Sequence, residues 1–202
     1  MNYLAVDTSS THLTIALGYN KKVQYTFEED IKLQHSCILM PEIEKLLLKS
    51  GANLNDIDVF ACCVGPGSFT GIRIGVSAIK AFAFSFGKKV LPVTSFETLA
   101  YNKRSGRNLC VIDARHGNFY VQGFDGVTPC SSPTFLNEER IKETIKDYDG
   151  VLSFENTSVS VKNCDLVKGF IAAVEDKIDT ASDDSETLVP LYVRKSQAEE
   201  SL

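Results

Sequence analysis

The stretch "VGPGSFTGIRIG", residues 64–75, lies between one apolar run and a longer one, and its reading decides the fold. A glycine-rich loop ahead of a helix can cradle a phosphate on its amides. It can equally form a tight turn that lets the helix pack closely. A Walker loop needs a Lys and a hydroxyl after its last glycine, whereas Gly71 is followed by Ile72 and Arg73. Gly65, Gly67 and Gly71 nearly spell the dinucleotide fingerprint, but Gly71 comes one residue late and the expected downstream acid is missing. Ser68 or Thr70 is placed to cap the helix. Phosphate site and close-packing turn remain the two readings of the loop.

The helix that follows carries Phe69, Ile72, Ile74, Val76, Ile79, Phe82, Phe84 and Phe86, with Arg73 and Lys80 its only charges. At 3.6 residues per turn the apolar residues fall on nearly every side, so the helix calls for burial all round. Gly71, Gly75 and Ala78 form a small-residue ridge suited to close helix approach. A core helix sandwiched inside one domain is the plainer alternative. The expected contact surface comprises Gly67, Ser68, Phe69, Thr70, Gly71, Ile72, Arg73, Gly75, Ile79 and Phe82, joined by Ile38, Leu39, Ile43 and Leu46 of a helix over 35–50. Gly75→Arg is expected to break association while leaving the monomer folded.

Working outward, residues 3–7, 12–18 and 22–28 read as strands of an antiparallel meander with one hydrophobic face. Ile43, Leu46, Leu47 and Leu48 give the next helix its apolar stripe, Gly51 its stop, and Pro41 either a first turn or a kink. "DIDVFACCVG" reads as a buried strand, "KVLPVTS" as another, and a short helix follows near 96–102. "NKRSGRN", residues 102–108, has the composition of a linker. After it the pattern restarts: "LAVDTSSTHLTIAL" lies on "CVIDARHGNFYVQG" with Asp7 on Asp113. Two copies of an alpha/beta unit follow, 1–104 and 105–202. The second holds a helix in "EERIKETIKDY", a strand in "DGVLSF", a helix in "LVKGFIAAVEDKI", a loop in "DTASDDSET", a strand-like "LVPLYVR" and a polar tail.

A net charge of -5 argues against a chain that grips nucleic acid by itself. The six cysteines show neither a C-x-x-C pair nor zinc spacing, and Cys62, Cys63 and Cys110 read as buried structural thiols. No signal peptide and no membrane-length apolar run are read, so a reduced, cytoplasmic setting without membrane contact is expected. His12, His35 and His116 lack metal spacing, and "PGSFTG" places Phe where a nucleophile elbow wants a small residue. Asp7, with Thr8 and Ser9, ends the first strand, and Asp113 holds the parallel place. The group is either a magnesium-nucleotide site or an Asx-type turn.

"YLAVDTSS", "GPGSFTGIRIG", "PVTSFETLA", "VIDARHGNFY" and "PLYVR" together resemble successive motifs of the TsaB (YeaZ) family, from residue 3 to about 194. The resemblance implies two actin-like (ASKHA), ribonuclease-H-like alpha/beta subdomains, the second shortened. It also implies a role in making threonylcarbamoyladenosine in tRNA beside a TsaD-like transferase and a TsaE-like ATPase. TsaD would carry the metal and the transfer chemistry; Ser95 and Leu99 stand here where its two metal-binding His would be. The implied chain is non-catalytic, reaches tRNA only through the complex, and forms a homodimer when alone. It has no cofactor of its own, with ATP or ADP and magnesium at the complex interface. An independent actin-like ATPase or kinase is the alternative, and a peptidase a third.

Overall fold

The computed structural model describes residues 1–31 and 34–194. β1 (Tyr3–Asp7), β2 (Leu13–Tyr19) and β3 (Lys22–Glu28) form the expected meander. Asn20 and Lys21, both at positive φ, make the two-residue hairpin turn between β2 and β3. β1 and β2 are buried on both faces, however, and only β3 alternates, because layers cover both sides of the sheet. α1 (His35–Ser50) contains Pro41 within its body and ends at Gly51, whose left-handed backbone returns its N–H to Leu47 and Leu48. Leu48 leaves the expected stripe and is exposed.

β4 (Val59–Cys63), α2 (Phe69–Phe86) and β5 (Lys89–Val93) complete the first sheet, whose order is β3-β2-β1-β4-β5. β4 runs parallel to β1, and β5 parallel to β4. Phe60 of β4 packs on Phe82 and Phe86, so α2 lies on the Leu4–Phe60 face. The other face carries Tyr3, whose ring covers Gly18 and whose hydroxyl donates to Glu175 Oε1 at 3.4 Å.

α3 (Ser95–Ala100) opens the second unit. β6 (Arg107–Asp113), β7 (Asn118–Asp125), β8 (Thr128–Pro129), β9 (Thr134–Asn137), α4 (Glu138–Thr144), β10 (Gly150–Leu152) and α5 (Leu166–Lys177) follow. β7 pairs antiparallel with β6 and β9, and β10 runs parallel to β6. The order β9-β7-β6-β10 repeats β3-β2-β1-β4, which is the restart read in the sequence. Among the described residues no strand takes the place that β5 holds in the first sheet.

The compact units are residues 1–95 with 170–190, and residues 96–169 with the segment from Leu191. They do not part at the expected 104/105. Phe96, Leu99 and Ala100 of α3 pack with Cys110, Phe124 and Leu152, so apolar burial places the border ahead of the polar linker. α5 then leads the chain back into the first unit. "LVPLYVR" forms no strand. Leu188 is buried there and Pro190 withholds a donor from any ladder. The polar tail lies outside the described residues.

Candidate functional site

Asp7 ends β1, Cys63 ends β4, and Ser95 follows β5, so three adjacent parallel strands deliver polar groups to one place. The carboxyl ends of parallel strands are where alpha/beta sheets ordinarily build sites. Asp7 is only 3% exposed, and its Oδ1 accepts the Ser9 N–H at 2.8 Å. The Cys63 thiol donates to Ser9 Oγ at 3.4 Å, and Ser95 Oγ lies 3.3 Å from both Ser9 Oγ and Cys63 Sγ. Burial pushes the Asp7 carboxyl above its ordinary range, against hydrogen bonds from Ser9 and Cys63 and the nearby His35. Burial likewise pushes the Cys62 and Cys63 thiols far up, which leaves them protonated and inert. Thr14 pairs with Asp7 in register, and its Oγ1 is buried with no hydrogen-bond partner.

The glycine loop closes over this cluster. A Cβ on Gly67 would run into the carbonyl of Ser9, and one on Gly71 into the carbonyl of Thr8. Gly75 lies against Thr8 Oγ1 and Cys62 Sγ. The Ser68 N–H donates to Ser9 O at 2.6 Å, Thr8 Oγ1 donates to Gly71 O at 2.7 Å, and Ser68 Oγ caps the Gly71 N–H at 3.2 Å. The turn after β1 therefore fills the cradle that a phosphate would need. Asp7, Thr8 and Ser9 do not fit a magnesium-phosphate group: the carboxylate is enclosed, and the Ser68 and Gly71 amides are spent within the chain.

The expected contact residues divide accordingly. Leu39, Ile43, Leu46, Ile72 and Ile79 point into the core, and Gly71 and Gly75 pack on the chain's own first turn. Their small size admits the Thr8 backbone at Gly71, and the Thr8 and Cys62 side chains at Gly75, rather than a partner helix. This corrects the expectation that Gly75→Arg spares the fold. Ser68, Phe69, Thr70 and Arg73 are exposed, Gly67 is open on its outer side, and Ile38 and Phe82 are half-buried. The Arg73 guanidinium sits 3.8 Å from the centre of the Phe69 ring. α2 is thus not buried all round. Thr70, Arg73, Ser77, Ala81 and Phe84 form an exposed stripe, with Phe84 86% exposed. At 18 residues α2 is also long and apolar enough to cross a membrane by length and composition, against the expectation of no membrane-length apolar run. α1 packs beside α2 and exposes Met40 and Leu48.

In the second unit Asp113 Oδ1 accepts the Arg115 N–H at 2.8 Å, the same turn that Asp7 makes with Ser9. Asp113 is half-buried, with Arg115 Nη1 3.7 Å from Oδ2. Both acids therefore build Asx-type turns. Ser95 and Leu99 are buried, Leu99 among Phe96, Cys110 and Phe124. Among the described residues no group of three or more potential metal ligands occurs. Sequence reasoning missed His35, Thr14 and Cys63 as neighbours of Asp7, and Ser95 as the neighbour of Ser9 and Cys63. The readable signal was that Cys63 and Ser95 close the two strands parallel to β1.

Residues 29–130 match the family model for TsaD, tRNA N6-adenosine threonylcarbamoyltransferase. Over 123 residues the chain is 37% identical to the tRNA threonylcarbamoyladenosine biosynthesis protein TsaB of Bacillus subtilis. The chain belongs to the TsaB (YeaZ) family. The Bacillus match covers 60% of this chain and 54% of that protein. The TsaB protein of Escherichia coli is 34% identical over 124 residues, covering 59% and 53%. The chain thus spans about half the length of the curated TsaB relatives it matches. The structure of YeaZ from Pseudomonas aeruginosa superposes with a TM-score of 0.77 at 20% identity, covering 95% of this chain and 99% of that one. That likeness shows the YeaZ fold with its two mixed sheets, and with the TsaD family match the fold is alpha/beta and actin-like.

Proposed function

We propose that this chain is a non-catalytic subunit required for threonylcarbamoyladenosine modification of tRNA, which binds and supports a TsaD-like transferase together with a TsaE-like ATPase. The observation that carries this reading is the outer stripe of α2, where an apolar helix leaves Phe69 and Phe84 in water beside a filled glycine cradle. Exposed apolar side chains grouped on one helix suit a protein partner. The names of the TsaB relatives supply the pathway. The helix face formed by α1 and α2 takes the TsaD-like subunit, or a second copy of the chain when it is alone. tRNA is gripped by the partner, in keeping with a net charge of -5. ATP or ADP with magnesium belongs to the assembled interface rather than to Asp7, and the assembly is cytoplasmic.

Mixing the purified chain with a TsaD-like protein and measuring mass in solution tests this reading. A complex is expected, and modified tRNA is expected only when this chain accompanies the TsaD-like and TsaE-like proteins and the carbamoyl-adenylate donor. Failure to associate, with TsaE and nucleotide present, overturns it. Tight magnesium-dependent nucleotide binding and turnover by the isolated chain favours an independent ATPase instead.

A further inference from the structure

Residues 102–108, which have the composition of a linker, are held in place by the asparagines at their two ends. Asn102 Oδ1 accepts the Asp165 N–H at 2.8 Å, and its Nδ2 donates to Thr98 O at 2.9 Å. Asn108 is fully buried, and its Nδ2 donates to Ser105 O and Gly106 O, both at 3.0 Å. A cavity of about 410 Å³ lies between this segment, Asn163 and β10, a size that suits a small molecule. Asn163 is fixed as well: its Nδ2 donates to Val151 O at 2.6 Å, and its Oδ1 accepts the Ser153 N–H at 3.0 Å. Among the described residues no strand pairs with the outer side of β10, whereas its counterpart β4 has β5 there.

Lys103 is the one charged residue of the cavity's lining. Its ammonium donates to Asn108 Oδ1 at 3.1 Å, which leaves two of its N–H groups for a ligand. Gly150 keeps that ammonium uncovered, since a Cβ there would stand 3.4 Å from Lys103 Nζ and 3.0 Å from Asn108 Oδ1. The carboxylates that flank the lining are spent on backbone: Asp149 accepts the Arg107 N–H at 2.7 Å, and Asp165 the Lys168 N–H at 2.9 Å. A buried, neutral asparagine thus orients a cation toward the cavity. One ammonium balances one negative charge. A phosphate monoester brings about −1.5 to −2, and a nucleic-acid backbone a row of charges, which a single lysine leaves unmatched. Val151 and Leu152 give the lining its apolar part.

We propose that this cavity binds a small organic molecule through a single carboxylate, which pairs with Lys103 while the rest of the molecule lies against Val151 and Leu152. The site belongs wholly to the second unit, and it stands whether or not a TsaD-like protein covers α1 and α2.

Proton–nitrogen correlation NMR of the full chain, titrated with N-acetylleucine, with N-acetylleucinamide and with inorganic phosphate, tests the site. N-acetylleucine should shift the signals of Gly150 and of the side-chain amides of Asn102, Asn108 and Asn163. The neutral amide should bind roughly tenfold more weakly, as for loss of a hydrogen bond to a charged group. Lys103 is exposed, so Lys103→Met should melt at the parent's temperature and should bind acid and amide alike. The proposal is overturned if no probe shifts these signals, if the parent binds acid and amide equally, or if phosphate binds more tightly than the acid. It is also overturned if Lys103→Met keeps the preference for the acid.

Discussion

Thr8 and Gly71 lock the first strand to the second helix: Thr8 Oγ1 donates to Gly71 O at 2.7 Å, while Thr8 O occupies the space where a Gly71 Cβ would stand. This pair explains why the loop is rich in glycine in a site with no room for phosphate. Close approach of two backbones needs a residue without a side chain.

Gly71→Ala should therefore destabilise the chain by about 1–3 kcal/mol, because the obstructing atom is backbone and cannot swing away. Thr8→Val, which keeps the shape and removes the hydroxyl donor, should cost about 1 kcal/mol. Urea unfolding followed by circular dichroism measures both, and an unchanged midpoint for Gly71→Ala would contradict the packing described.

Gly75→Arg and Phe84→Glu separate fold from association. Gly75 faces Thr8 and Cys62 in the interior, so an Arg there should leave little folded protein. Phe84 is 86% exposed, so Phe84→Glu should unfold at the same temperature as the parent. Its affinity for a TsaD-like partner should fall about tenfold, as for loss of an aromatic contact. Calorimetric melting and titration read the two effects independently.

Asp7 gives the fold a pH dependence of definite sign. Its carboxyl titrates above the ordinary range when folded, chiefly through burial. The folded state then holds a proton that the unfolded state releases, so this residue's contribution to stability falls as pH rises from the unfolded pKa of about 3.9 toward the raised folded value. Below the unfolded value both states are protonated and the effect vanishes. Asp7→Asn removes the titration, so its stability relative to the parent should rise across that window. Denaturation midpoints of both chains from acid to neutral pH test this, and a difference that falls with pH would refute the assignment.

Thiol labelling checks the burial of the cysteines. Cys37 and Cys130 are exposed and should react with iodoacetamide in the folded chain. Cys62, Cys63 and Cys110 are enclosed with thiols pushed far up, and Cys164 is pushed to about 11. These four should label only after unfolding, which mass spectrometry of folded and denatured samples resolves.

Much of the fold was legible because its signals are local. The alternation of Lys22–Glu28, the stop at Gly51 and the capping Ser68 act within a few residues, and each was found where expected. The match of Asp7 to Asp113 was legible too, since the same turn recurs after each first strand. The unit border was not, because α3 joins the second core through Phe96 and Leu99, contacts that composition does not encode. Only one side of α2 proved buried, because helical periodicity tells which residues share a face and not which face meets the sheet.

The sequence by itself determined the elements of the first unit, their order, the internal repeat and the family, since each depends on residue type and spacing along the chain. Only the tertiary structure decided what the glycines of residues 64–75 admit. Their missing side chains make room, and whether a phosphate, a partner helix or the chain's own Thr8 and Ser9 fills it depends on which backbone the sheet brings there.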